Sequence, residues 1–113
     1  MSGTWIEVCR TDEIDEKDVL GFECRGEKYA IYNTASGFYA TAGVCTHEAA
    51  DLSMGLVIDD IIECPMHQGR FHIPTGKAKS APACVDLKTY AVKIEDGMVL
   101  IELPDGTFAE STA

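Results

Sequence analysis

The sequence predicts an all-β domain of antiparallel strands with a metal-binding segment inserted between them. Three observations carry that prediction. Short runs rich in β-branched and aromatic residues recur at close spacing, each stopped by glycine, proline or Asx residues. No long stretch repeats its apolar residues with the helical period. Two cysteine–histidine pairs, Cys45-Thr46-His47 and Cys64-Pro65-Met66-His67, interrupt the strand pattern within a segment from about Gly43 to Cys84.

Trp5 to Cys9 is the first expected strand, followed by the acidic connection Asp12 to Asp18, read as a solvated loop with room for a helical turn. Strands are expected at Leu20 to Arg25 and Lys28 to Tyr32, joined through Arg25-Gly26-Glu27. Asn33 to Gly37 supplies a second turn into Phe38 to Thr41. After the first pair, Gly55 to Ile58 and Ile61 to Glu63 flank Asp59-Asp60 as a hairpin, and Cys64 and His67 lie in the loop that leaves it. Arg70 to Ile73 is a short strand ended by Pro74-Thr75-Gly76. Lys77 to Cys84 contains Ser80-Ala81-Pro82, an extended proline segment unsuited to a strand interior. Tyr90 to Glu95 alternates as one strand, Asp96-Gly97 is a two-residue hairpin signal, and Met98 to Leu103 returns; Pro104 to Ala113 reads as a frayed tail.

At 113 residues the chain has the length of one domain, 1–113, with a real core. Its five cysteines are an odd number, and Met1 to Thr4 carries neither a basic nor an apolar leader pattern. The odd count, with two cysteines paired in spacing with histidines, predicts a reducing, cytoplasmic compartment and metal ligation rather than a disulfide framework. No run approaches the roughly 20 apolar residues that span a bilayer. A net charge of −10 argues against nucleic acid as a partner, because phosphates repel such a surface. It suits encounter with proteins that have basic faces, and equally it suits plain solubility.

The pattern C-x-H, sixteen residues, C-x-x-H offers two sulfur and two nitrogen donors from two loops. Such a set holds either tetrahedral zinc or a two-iron cluster. The ligands alternate Cys, His, Cys, His and lie on no helix, unlike a zinc finger. Alternation suits a dinuclear centre with both cysteines on one iron and both histidines on the other.

In these motifs the chain resembles the Rieske [2Fe–2S] proteins. The match runs through Cys45-Thr46-His47 and Cys64-Pro65-Met66-His67-Gln68-Gly69-Arg70-Phe71, with Pro82 where the family has a covering proline loop, over about Trp5 to Leu103. The resemblance implies an antiparallel β-sandwich of Rieske type with an inserted cluster-binding subdomain. It also implies one [2Fe–2S] cluster, with Cys45 and Cys64 on the inner iron and His47 and His67 on the outer. Respiratory members add two cysteines that brace the loops and two hydroxyls that donate to sulfur. The corresponding residues here are Ala50 and Met66, then Gly69 and Phe71, so neither device is available. Donors aimed at sulfur stabilise the more negative reduced state, and carboxylates nearby oppose it. A potential at the low end of the Rieske range of roughly −150 to +300 mV follows, within about 50 mV of the bottom.

Of three histidines only His72 is left over, read as a surface or half-buried residue near the cluster, and a mononuclear iron site of two histidines and a carboxylate cannot be built. No glycine-rich dinucleotide fingerprint is present. Cys9, Cys24 and Cys84 are expected to be buried thiols, Met66 a shield for the cluster, and Trp5 a core residue. The resemblance therefore implies a non-catalytic electron carrier. It would be the ferredoxin of a ring-hydroxylating dioxygenase system, a monomer taking electrons from a flavoprotein reductase to a terminal oxygenase. Two other readings stay open: a Rieske-like small subunit of another redox enzyme, such as assimilatory nitrite reductase, and a zinc-stabilised binding module.

Overall fold

The computed structural model describes residues 4–45, 50–65, 69–80 and 86–104. Strand β3, Glu27–Thr34, is the axis of the molecule. Its alternation sends Tyr29 and Ile31 into one buried cluster and Ala30 and Tyr32 into another, so this strand is buried on both faces. It lies in a central sheet ordered β2-β3-β4-β9, with β2 at Asp18–Cys24, β4 at Gly37–Ala42 and β9 at Thr89–Tyr90.

On one face packs an outer sheet ordered β1-β11-β10, from β1 at Thr4–Arg10, β10 at Val92–Glu95 and β11 at Met98–Leu103. Cys9, Val99, Ile101 and Leu103 meet Tyr29, Ile31 and Ala40 in the core between them. A bulge at Val8 shifts the register of β1 on β11 between Glu7 and Cys9. On the other face stands a sheet of four short strands, β5 at Leu56–Ile58, β6 at Ile61–Glu63, β7 at Arg70–His72 and β8 at Ala78–Ser80, paired in that order. Ile62 and Phe71 from this sheet, and Ile73 just after β7, meet Ala30 and Tyr32 in the second core. All ladders are antiparallel. The all-β antiparallel class is as the sequence predicts. Among the described residues no helix is long and apolar enough to cross a membrane.

Several local expectations need correction. Tyr90 to Glu95 is not one strand. Tyr90 pairs with β4 and packs edge-on to Tyr29, 5.2 Å between ring centres, whereas Val92 onward pairs with β11. Ala91 is the crossing point between two sheets, and its carbonyl accepts from Glu102 N–H at 3.0 Å. A period of two does not reveal a change of partner.

Within Lys77 to Cys84 the described residues form an edge strand, β8, whereas Pro82 lies outside the described residues. The turn expected at Asn33 to Gly37 tightens to Ala35-Ser36, because the Thr34 hydroxyl takes the Ser36 N–H at 3.2 Å and donates to the Gly37 carbonyl at 3.1 Å. The acidic connection begins as a 3-10 turn, Thr11–Glu13. Arg25 leaves β2 for a two-residue turn with Gly26, both at positive φ, as are Asp96 and Gly97. Trp5 belongs to neither buried cluster; it is half-buried, with the Lys93 ammonium 4.4 Å from its ring centre.

Candidate metal centre

Two loops carry the cysteines, and they close in the same way. Beyond β4 the chain passes Gly43, where a Cβ would stand 2.8 Å from the carbonyl carbon of Lys28 and from the Tyr29 nitrogen. Only glycine lets the chain leave this close to β3. Val44 then bridges to Asp51, Cys45 N–H donates to the Ala50 carbonyl at 2.9 Å, and Leu52 N–H to the Gly43 carbonyl at 2.8 Å. In the second loop Cys64 follows β6 directly, and its N–H donates to the Gly69 carbonyl at 2.7 Å. Each cysteine thus pins a carbonyl five residues further on. Glu63 and Arg70 face each other across this second neck with 3.9 Å between carboxylate and guanidinium.

Cys45 and Cys64 are 5% and 1% exposed and share one buried cluster with Ala50, Leu52, Ile62 and Phe71. A thiolate in such surroundings is costly unless a cation compensates it. Two thiols in one apolar pocket, each at the mouth of a short loop, are therefore a donor set that suits a metal centre, iron or zinc. His47 and His67 lie outside the described residues, as do Met66, Gln68, Pro82 and Cys84.

Among the described residues, the hydroxyl donors of this core are accounted for. Thr41 donates its proton to the Ala42 carbonyl at 2.8 Å, so the Tyr32 hydroxyl, 2.9 Å away, must donate to Thr41. Phe71 is wholly buried and has no hydroxyl, and Gly69 contributes only its backbone. His72 is half-buried on β7, the strand that leaves the second cysteine loop, and its Nδ1 lies 2.8 Å from the Thr75 hydroxyl in the β7–β8 turn. Cys9 is buried, with its thiol pushed up by burial and by Glu13, and Cys24 is half-buried.

The sequence reading missed the residues that shape the loops. Asp51 accepts the Ser53 hydroxyl at 2.7 Å and the Ser53 N–H at 3.0 Å, and its other oxygen lies 3.6 Å from the Lys28 ammonium. The Ser53 hydroxyl first, then its N–H and the Lys28 charge, hold the carboxyl below its usual range against a desolvation cost. The Asp-x-Ser spacing before a short turn was the available signal. Beside the second loop, Met54, Gly55, Leu56, Glu63, Cys64 and Pro65 line a surface concavity of about 340 Å³. Met54 and Leu56 on its wall are 75% and 58% exposed, which marks an apolar contact surface next to Cys64.

A model of the Rieske [2Fe–2S] domain matches residues 4–91. The chain is 44% identical over 103 residues to the ferredoxin component of the naphthalene 1,2-dioxygenase/salicylate 5-hydroxylase systems of a Ralstonia species, covering 91% of this chain and 99% of the relative. It superposes with a TM-score of 0.85 and 33% identity on a chain from the complex of reduced oxygenase and oxidized ferredoxin in carbazole 1,9a-dioxygenase, over 89% of this chain and 94% of that one. A nitrite reductase small subunit structure from Mycobacterium tuberculosis matches at TM-score 0.79 over 89% of this chain and 96% of that one, but at 19% identity, a likeness of fold alone.

Proposed function

The chain belongs to the Rieske [2Fe–2S] family, and we propose that it is the ferredoxin component of an aromatic-ring dioxygenase system, a one-electron carrier rather than an enzyme. The observation that carries this reading is the match along 99% of a dioxygenase-system ferredoxin, by a chain whose two buried cysteines suit the family's cluster. Cys45 and Cys64 would hold one iron and His47 and His67 the other, and the bound cluster supplies storage for a single electron.

The rest follows from the chain's own residues. Leu52, Ile62 and Phe71 keep water from the thiol side, and no side-chain hydroxyl among the described residues of that core is left to aim at sulfur. With 19 acidic residues in the chain against nine basic, the centre sits at the low end of the family's range. It accepts an electron from an NAD(P)H-dependent flavoprotein reductase and yields it to a terminal oxygenase. Transfer falls steeply with distance, so partners dock close to the loops. Met54, Leu56 and Pro65 give such partners an apolar contact beside Cys64, and Glu63 places a carboxylate at its rim. The protein works as a monomer in the reducing cytoplasm, where Cys9, Cys24, Cys45 and Cys64 stand as thiols when no metal is bound.

Reconstitution decides the matter. Purified red-brown protein with two irons and two acid-labile sulfides, mixed with a flavoprotein reductase, NADH and a ring dioxygenase, should restore substrate-dependent NADH oxidation. A colourless zinc protein, or activity only with a nitrite reductase large subunit, would overturn the proposal.

A further inference from the structure

The two cysteine loops are joined by a short segment whose contacts run from one neck to the other. Asp51 stands one residue past the first neck, where it bridges Val44. Its carboxylate takes both donors of Ser53, and Met54 N–H returns to the Asp51 carbonyl at 3.0 Å, closing the 3-10 turn Leu52–Met54. Leu52 is wholly buried in the cluster that contains both cysteines.

Ser53 lies against the central sheet: a Cβ on Gly21 of β2 would stand 2.8 Å from its hydroxyl. The Lys28 ammonium of β3 holds Asp51 from the same sheet. At the other end Gly55 presses on the second neck. A Cβ there would lie 2.3 Å from the Glu63 carbonyl oxygen, one residue before Cys64, with Ile62 Cδ1 and the Leu52 carbonyl both at 3.2 Å.

From this geometry we propose that residues 51–55 form a strut that sets the spacing of the two ligand loops, with Asp51 and Gly55 as positioning residues. Neither touches a reacting atom. Gly55 has an ordinary negative φ of −85°, so what demands glycine is the approach to Glu63, not backbone conformation. Any side chain there must displace Glu63, and Cys64 with it. The strut lies on the covalent path between the loops, ahead of the β5–β6 hairpin, and it is anchored to β3 at Asp51 and to β2 at Ser53. A change at either end is therefore passed to the cysteine spacing rather than absorbed in solvent. The proposal rests on the reading that Cys45 and Cys64 bind the cluster.

The test compares holoprotein of wild type, Gly55→Ala and Ser53→Ala. It reads iron and sulfide per chain, EPR g-values, midpoint potential, thermal midpoint and the rate of bleaching by EDTA. Gly55→Ala should shift the g-values and potential and bleach about 10-fold faster or more, the usual scale for losing an outer support of a metal site. Ser53→Ala should move the same readings in the same direction by less. Wild-type g-values, potential and bleaching in Gly55→Ala, even with a lowered thermal midpoint, would overturn the proposal, because destabilisation alone does not move a spectrum. If Gly55→Ala does not fold, Ser53→Ala decides by the same readings. A wild-type protein without iron and sulfide would overturn the ligand reading instead.

Discussion

Replacing Tyr32 by phenylalanine should change the sign of its effect on stability between pH 7 and pH 11. The hydroxyl is wholly buried, joins β3 to β4 through Thr41 at 2.9 Å, and sits where burial pushes its ionisation far above the ordinary range. Its removal near neutral pH deletes one neutral buried hydrogen bond, worth about 1 kcal/mol with a spread of about 0.5. Thr41 keeps its own donation to Ala42, so no donor is stranded.

At high pH the balance shifts. Tyr32 stays neutral in the folded protein but ionises near pH 10 when unfolded. Because the folded value is the raised one, its contribution is fully present below pH 10 and is lost as pH rises further. By pH 11 the unfolded chain gains about 1.4 kcal/mol from this one group. That exceeds the hydrogen bond, and the two terms cancel near pH 10.7. Wild type should melt about 3–6 °C above Tyr32→Phe at pH 7 and at or below it at pH 11. Other ionisations are common to both proteins and drop out of the difference. Near-UV circular dichroism melts at equal scan rate supply the test. A gap in favour of wild type that is unchanged at pH 11 would refute the reasoning. The midpoint potential should be the same in both proteins, because the Tyr32 proton is committed to Thr41. Phe71→Tyr, in the same core, should raise the potential.

Three further outcomes follow from the site. Leu56→Asp should raise KM for the ferredoxin about 10-fold in the reconstituted system, the scale of a lost apolar contact at an interface, with the potential unmoved. Equal KM would remove Leu56 from the docking surface. Alanine at His47 or His67 should abolish the Rieske EPR signal, whereas exchange of Gln68 should leave it and alter partner turnover; a normal signal in His67→Ala would refute the ligand assignment. The Asp51 carboxyl is held below its usual range, so its support for the first loop is present above about pH 4 and fades as pH falls through the depressed value. Asp51→Asn should flatten that acid limb in cluster-bleaching rates, and an unchanged limb would show that Asp51 does not guard the loop.

Sequence and structure divided the work along a physical line. Strand class, the Asp96-Gly97 turn and the two cysteine pairs are local properties, written in residue type and short spacing, and they stood in the sequence. So did the inventory that leaves only His72 if His47 and His67 bind the cluster, from which a carrier was expected. The potential was argued from the same source, through Gly69 and Phe71. Properties that depend on two distant segments meeting could not be read this way. That Ala91 changes sheets, that β3 is buried on both sides, and that Trp5 pairs with Lys93 outside the core are facts of packing. So is the need for glycine at position 55, which comes from the Glu63 carbonyl eight residues away rather than from any turn. The sequence by itself determined the chemistry the loops offer; the tertiary structure decided what holds those loops apart, because a spacing in space is set by contacts that no local pattern encodes.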